Sequence, residues 1–367
     1  MFSFSNSNTY STTSASRAPH TPKGDAKSAK DWLLCRGFSP AIKPTPPRET
    51  AGIAFATSFR SRQTMPRVQF IRDIHDSCRA SGRPAISFEF FPPRTIEGDR
   101  ALLERTLPEL LALKPDYCSV TYGAGGSTRE KTLDIVDRIQ REHALPAMAH
   151  ITCVNSTREQ LREVIEEAHS RGIRNLLALR GDPPPGSNFM KTEGGFEFSS
   201  ELVAFIRERG GFSIGTAGFP EGHLACKAGK HADWGFLKRK VEAGADFIIT
   251  QLFFDNEDFY EFHGYLTGRL GVRVPIVPGI LPILSRGQTK KFVELCGAKL
   301  PKSFLARLEE LGDDDAAVSA FGVEYATRQC EALLKFGVPG LHFYTLNKVH
   351  STTQIVRALG LGKVQPA

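Results

Sequence analysis

Seven apolar runs in this sequence end on side chains that can hold a proton, donate a hydrogen bond or carry charge. The first ends on Glu89, within Phe88-Glu-Phe-Phe-Pro-Pro-Arg94. The second ends on Thr121-Tyr122, followed by Gly123-Ala-Gly-Gly126, and the third on His150 and Thr152. Arg180-Gly-Asp182 closes the fourth, and the fifth leads into Phe219-Pro-Glu-Gly-His223. Gln251 closes the sixth, and Tyr344-Thr-Leu-Asn347 the last. Any one of these residues would ordinarily be solvated or locally paired. Together they supply acid–base and hydrogen-bonding groups to one rim, which an active site needs and a structural protein does not. Glu89 lies between aromatic residues on a run that should be buried, and burial raises a carboxyl pKa by disfavouring the charged form. Such a carboxyl can keep its proton near neutrality and act as a general acid. The alternative is a glutamate paired with a buried arginine, such as Arg94 or Arg180.

The runs that must position these groups are Ile86–Phe91, Tyr117–Thr121, Ala147–Ile151, Asn175–Leu179, Ser213–Ala217, Phe247–Gln251, Pro275–Pro278 and Leu341–Thr345. They are short and nearly continuously apolar, as strands buried on both faces of a parallel sheet are. Helical periodicity fills the intervals: Leu161, Val164, Ile165 and Ala168 share one helix face. Ser127-Thr-Arg-Glu130 and Ser156-Thr-Arg-Glu159 match a capping box. Gly172 stands where a helix should stop, and Pro108 should kink or break the first helix of the repeat. Asp313-Asp-Asp315 should start or cap another, and a short helix is predicted from Val68 to about Cys78. Alternating strands and helices form either an open doubly wound sheet or a closed barrel. A count of eight favours the (β/α)8 TIM barrel, whose chemistry sits at the C-terminal strand ends.

Other motifs are weaker. A dinucleotide fingerprint starting at Gly123 would need glycine at 128, which is Thr128, and there is no Walker A sequence. Lys238-Arg-Lys240 is either a solvated helix face or a phosphate contact. His150 and Cys153 lack partners at metal-ligand spacing, so no metal is expected.

Composition bounds the rest. Of 47 basic and 40 acidic residues, 12 and 5 fall in residues 1–80, so the remaining 287 residues carry 35 of each sign. The surplus of +7 therefore belongs to the N-terminal segment, and no basic patch points to nucleic acid. Residues 1–65 are read as a disordered or targeting extension and 66–362 as one catalytic barrel. The extension is rich in Ser, Thr and Pro and has no acid before Asp25, which suits a disordered tail, an over-extended start with Met65 as the true beginning, or an organellar transit peptide. Seven scattered cysteines without a CxxC pair argue for a reducing compartment. No apolar run approaches the ~20 residues of a membrane span. A cytoplasmic location is expected, or an organelle if residues 1–64 are a transit peptide.

The segments Ser87–Arg94, Ser119–Gly126, His150–Cys153, Ala178–Asp182, Leu237–Lys240, Ile249–Gln251, Pro278–Pro282 and Phe343–Asn347 occur in the order found in the methylenetetrahydrofolate reductases, and over about residues 85–360 the chain resembles that family. The resemblance implies a barrel that binds FAD without a Rossmann domain. It places FAD contacts on Tyr122, Ala124, His150, Arg180, Gly181, Asp182, Phe219, His223, Asp233, Arg239 and Lys240. Folate contacts fall on Gln251, Gln288 and Lys348, with Phe292 stacking on the substrate, while Thr121 and Gln251 meet the nicotinamide cofactor.

The implied reaction is ping-pong reduction of 5,10-methylenetetrahydrofolate to 5-methyltetrahydrofolate, which supplies methyl groups for methionine synthesis. NADH or NADPH is the donor. Glu89 would protonate the departing ring nitrogen, and Asp182 would stabilise the cationic intermediate. Three residues depart from the family pattern: Phe219 where tyrosine is frequent, Phe236 where a polar residue can touch the cofactor, and Lys348 for arginine. A homo-oligomer is expected. Because the sequence ends soon after the barrel, inhibition by S-adenosylmethionine through a C-terminal regulatory domain is not expected.

Overall fold

A computed structural model describes residues 69–122, 129–182 and 189–362. Helix α1 (Ile71–Ala80) precedes β1 (Ala85–Phe90). There follow α2 (Ile96–Ala101), a π-helical turn (Leu102–Thr106) and α3 (Leu107–Leu111), then β2 (Tyr117–Val120), α4 (Arg129–His143), β3 (Ala147–Thr152), α5 (Arg158–Ser170), β4 (Asn175–Leu179) and α6 (Ser199–Arg209). The second half runs β5 (Ser213–Gly218), α7 (Lys230–Glu242), β6 (Phe247–Thr250), α8 (Asn256–Gly264), β7 (Ile276–Val277) and β8 (Gly279–Ile280). Helices α9 (Arg286–Cys296), α10 (Lys302–Leu311) and α11 (Asp315–Phe336), strand β9 (Gly340–Tyr344) and α12 (His350–Ala358) complete it.

The strands are all parallel, in the order β7-β6-β5-β4-β3-β2-β1-β9-β8. The two ends of that order, β7 and β8, flank Pro278, so the sheet closes on itself as a (β/α)8 barrel whose seventh stave is divided. The predicted strand Pro275–Pro278 is thus two short pieces: Val277 pairs with Ile249 on one side, and Gly279 with His342 on the other. Pro278 has no N–H for the ladder but its carbonyl accepts from His342 N–H at 3.0 Å. Gly279 donates to Thr250 Oγ1 at 2.9 Å, and a Cβ there would meet the Thr250 carbonyl oxygen at 2.3 Å and the Tyr344 ring at 2.6 Å. Gly279→Ala should therefore destabilise the fold by about 1–3 kcal/mol. A urea-unfolding midpoint equal to wild type would refute this closure as a tight contact.

Strand alternation sorts the side chains. Ile86, Phe88 and Phe90 pack outward in the large core between strands and helices. Ser87 and Glu89 are the intervening residues, so they face the barrel interior. Near the N-terminal end the interior is filled by Ala85, Tyr117, Met148, Leu177, Phe247, Ile249 and Val277, against which Ile71, Ile74 and Cys78 of α1 pack. Helix α1 is fastened there by bonds from Ile71 N–H to Asn175 Oδ1 (2.9 Å) and from Arg72 N–H to Ser213 Oγ (3.1 Å).

The helix signals held, with one shift. Leu161, Val164, Ile165 and Ala168 form the buried face of α5, and Gly172 follows it at φ +77°. Its capping box is Thr157 with Gln160 rather than Ser156 with Glu159. Ser156 is buried and its hydroxyl already serves Val154 O and Arg129, which leaves the next hydroxyl to cap. The Ser127–Glu130 box begins outside the described residues. Pro108 breaks the α pattern as a π turn: Leu107 N–H reaches back to Leu102 O, and Pro108 enters α3 where no donor is missed. Asp314 caps α11 by accepting from Ala316 and Ala317 N–H.

Candidate active site

Glu89 is fully buried at the end of β1. Its Oε2 accepts from Ser119 Oγ at 3.3 Å and lies 3.3 Å from His342 Nε2 and 3.4 Å from His150 Nε2. Its Oε1 has no partner among the described residues. Its backbone carbonyl accepts from Thr345 Oγ1 at 2.6 Å, which fixes the strand end. Imidazoles thus face the carboxylate: Arg94 is exposed, and Arg180 stacks on Phe189 at 4.8 Å.

The charge balance corrects the expectation of a carboxyl simply raised by burial. Burial does push Glu89 up, but His150 and His342 pull it down by more, and the balance lies below the ordinary carboxylate range. The pull from His150 acts while that ring is protonated, and burial holds His150 itself down to about 4. Carboxylate and imidazole therefore compete for a proton and titrate as a linked group.

Around this centre stand the other strand ends. Thr121 and Tyr122 are buried; the Thr121 carbonyl accepts from Thr132 Oγ1 at 2.8 Å, and the Tyr122 hydroxyl accepts from Arg129 Nε at 2.9 Å. Ala124 lies outside the described residues. On β3, His150 and Thr152 share a face two residues apart, and Thr152 Oγ1 and His150 Nε2 are buried without a hydrogen-bond partner among the described residues. Gly181, at φ +84°, presses against β3: a Cβ would meet Val154 Cγ1 at 2.6 Å and Thr152 Cβ at 2.9 Å. Asp182 is exposed, so the protein alone does not supply the dry surroundings expected for its charge.

The β5–α7 segment brings a second group together. Phe219 and His223 meet edge to face at 4.6 Å, and the Phe219 carbonyl accepts from Trp234 Nε1 at 2.9 Å. His223 N–H donates to Asp233 Oδ2 at 3.2 Å. Burial, with Arg180 nearby, lowers His223 to about 4, so its ring is neutral and its Nδ1 accepts from Ala225 N–H. Burial raises Asp233, partly offset by Lys240. Burial brings Lys240 down to about 8 against the pull of Asp233, and its Nζ donates to Ala217 O at 3.1 Å. Lys238 instead pairs with Glu242 across one helical turn at 3.4 Å, and Arg239 is exposed over Phe236 at 5.2 Å. The basic run thus divides: Lys238 is the solvated face, and Lys240 turns to the strand ends.

Gln251 is buried after β6, its side-chain oxygen held by Leu252 N–H at 3.0 Å. Gln288 Oε1 accepts from Leu284 N–H at 3.1 Å, helping to cap α9. Phe292 is buried in a small cluster with Leu281, Ile283 and Phe304, whereas Lys348 is exposed. Residue-by-residue reading missed His342 and Ser119. Each is a lone polar side chain in an apolar run, a detectable signal, but their convergence on Glu89 depends on β1 lying between β2 and β9.

Residues 73–360 match the model of the family described as Methylenetetrahydrofolate reductase. The chain is 42% identical over 296 residues to "Methylenetetrahydrofolate reductase (NADH) 1" of Arabidopsis thaliana, covering 78% of this chain and 50% of the relative. It is 38% identical over 280 residues to "5,10-methylenetetrahydrofolate reductase" of Escherichia coli, covering 76% and 92%. The chain spans about half the length of the plant relatives it matches. Among solved structures, a Clostridium thermocellum protein described as binding two copies of 5-methyl-5,6,7,8-tetrahydrofolic acid aligns with TM-score 0.54 at 15% identity, over 78% of this chain and 97% of that one, a likeness of fold.

Proposed function

The chain belongs to the methylenetetrahydrofolate reductase family, and from that premise we propose that it reduces 5,10-methylenetetrahydrofolate to 5-methyltetrahydrofolate with FAD as cofactor and NADH or NADPH as donor. The observation that carries this reading is Glu89: a carboxyl enclosed at the C-terminal end of a barrel strand, one oxygen held by Ser119 and His342 and the other without a described partner.

The residues present fit a flavin dinucleotide. Thr152 Oγ1 and His150 Nε2 are buried polar atoms without a hydrogen-bond partner among the described residues, and Lys240, beside Asp233 and Arg180, offers positive charge for a diphosphate. Tyr122, Arg180, Gly181, Asp182, Phe219, His223, Asp233, Arg239 and Lys240 would hold the cofactor, together with Ala124. FAD supplies the hydride carrier between donor and folate. Gln251, Gln288, Phe292 and Lys348 would orient the folate, and Thr121 and Gln251 the nicotinamide. Ring opening needs a proton on the departing nitrogen; Glu89, which shares a proton with His150 as a linked group, would donate it, and Asp182 would stabilise the positive charge that develops. The rotation of Phe292 out of its apolar cluster would expose a stacking face.

Among the described residues no helix is long and apolar enough to cross a membrane. We place the enzyme in the cytoplasm as a homo-oligomer, with an organelle as the alternative if residues 1–64 act as a transit peptide. The test is spectroscopic. Purified protein should take up FAD, be bleached by NADH or NADPH, and regain its colour with methylenetetrahydrofolate. Failure to bind FAD sinks the proposal, and bleaching without recovery by folate would leave a different flavoenzyme.

A further inference from the structure

The two oxygens of Glu89 are unlike. Oε2 accepts from Ser119 Oγ at 3.3 Å and lies 3.3 Å from His342 Nε2, whereas Oε1 has no hydrogen-bond partner among the described residues. The other nitrogen of the His342 ring, Nδ1, lies 2.8 Å from Ser87 Oγ. All four side chains are fully buried. Register brings them together: Ser87 pairs with His342 across β1 and β9, and Glu89 with Ser119 across β1 and β2. Ser87 and Glu89, two residues apart, share the interior face of β1. Barrel interiors are usually filled by branched aliphatic residues. Burying a hydroxyl and an imidazole behind the carboxylate carries a desolvation cost that packing alone does not require.

A carboxylate only accepts hydrogen bonds, and a neutral imidazole donates at one nitrogen and accepts at the other. Ser87 has one hydroxyl hydrogen and two acceptors in reach, His342 Nδ1 at 2.8 Å and Leu341 O at 3.4 Å. The shorter contact takes it. Nδ1 is then the accepting nitrogen, and Nε2 carries the ring hydrogen toward Glu89 Oε2. With Ser119 this gives Oε2 two donors. An acid proton on Oε2 would displace one of them, so the protonated side chain holds its hydrogen on Oε1. The reverse tautomer has Nδ1–H donating to Ser87 and Ser87 donating to Leu341 O. Nε2 would then accept, and the acid proton would sit on Oε2, turned toward His342.

We propose that Ser87 and His342 are positioning residues that keep the acid proton of Glu89 on Oε1, the oxygen that delivers it. This rests on the reading of Glu89 as proton donor to the folate. In that step the Oε1–H bond breaks, the proton bonds to the departing nitrogen, and the electron pair of the opening C–N bond goes to that nitrogen. Glu89 is left as carboxylate and is neither oxidised nor reduced. As its negative charge appears, His342 Nε2–H and the Ser119 hydroxyl are already aimed at Oε2. Two other titratable side chains face Glu89. His150, on β3, has Nε2 3.4 Å from Oε2 without a hydrogen bond, and Tyr344, on β9, gives its hydroxyl hydrogen to Thr250 O. Against the upward push of burial, His150 and the bond from His342 hold Glu89 below the ordinary carboxylate range in the free chain.

The pH dependence of the folate half-reaction tests this. Reduced holoenzyme is mixed with saturating methylenetetrahydrofolate across a series of pH values, and flavin oxidation is followed by stopped-flow absorbance. The rate should fall on the alkaline side as Glu89 loses its proton. His342→Leu removes a donor to the carboxylate, so that limb should move up by about one to two pH units. His342→Gln returns an N–H near the place of Nε2 and should restore the wild-type limb. Ser87→Ala releases the ring from its tautomer and should move the limb up by less; it serves if His342→Leu does not fold. A limb that moves down would mean that His342 accepts from a protonated Oε2, and this would overturn the proposal. So would a slower reaction with an unmoved limb, which a merely structural role would give, or a limb that His342→Gln leaves shifted. If Glu89→Gln oxidises reduced flavin with folate at the wild-type rate, it is the proton-donor reading that fails.

Discussion

Glu89→Gln should leave flavin reduction by the nicotinamide donor within a few-fold of wild type and slow oxidation of the reduced enzyme by methylenetetrahydrofolate by roughly 10²–10⁴-fold, the usual contribution of a positioned general acid. That loss corresponds to about 3–5 kcal/mol of barrier. The asymmetry follows from the chemistry. Hydride transfer from the donor moves no proton to a departing nitrogen, whereas folate ring opening does. Glutamine keeps the volume and an acceptor oxygen toward Ser119 and His342. It also keeps the shape of a side chain that the barrel encloses completely, so the site around it should stay closed. Stopped-flow absorbance resolves the two half-reactions. Equal loss in both would mean that Glu89 shapes the site rather than donating the proton.

Lys240 should make FAD binding weaken in alkali. In the free chain its pKa is held down to about 8 by burial. A cofactor diphosphate binds the ammonium form, so above that value the free protein must first acquire a proton. Between pH 7 and pH 9 the apparent Kd for FAD should rise about tenfold, one logarithm per unit beyond the free-chain pKa. Lys240→Gln should bind more weakly at pH 7 and lose this slope. Fold stability should move the other way. Unfolded lysine titrates near ~10.4, so between about pH 8 and that value the unfolded chain binds more protons, and the ligand-free protein should gain stability as pH rises. Fluorescence titration of FAD against the apoprotein measures the first effect and urea unfolding the second. A flat Kd across this range would remove Lys240 from the diphosphate site.

The rim was legible because its members are polar residues placed where apolar runs stop. Glu89, Thr121, His150, Arg180 and Gln251 each break a run, and at Gly181 glycine alone fits, since φ is +84° and Thr152 and Val154 leave no room for a Cβ. Lys240 was less legible than its neighbours implied: Lys238, Arg239 and Lys240 are consecutive charges, yet the helix sends them in different directions. Asp182 received its role beside the cationic intermediate from the family resemblance, and in the chain alone it is exposed. The divided seventh stave reads as one strand, because a proline followed by a glycine does not reveal that β6 and β9 approach from opposite sides.

Apolar strand runs, helix periodicity and the chemistry at the run ends are local properties, and the sequence by itself determined them: eight staves, a C-terminal rim and Glu89 at the end of the first stave. The charge state and company of Glu89 were decided by tertiary structure. Ser119 is 30 residues away, His342 is 253, and Tyr117 and His75 meet across 42. Barrel closure sets β9 beside β1 and lays α1 under both, and this brings imidazoles rather than guanidinium groups to the carboxylate. Period-two alternation tells which face a side chain takes; only the register of non-adjacent strands decides which side chains share it.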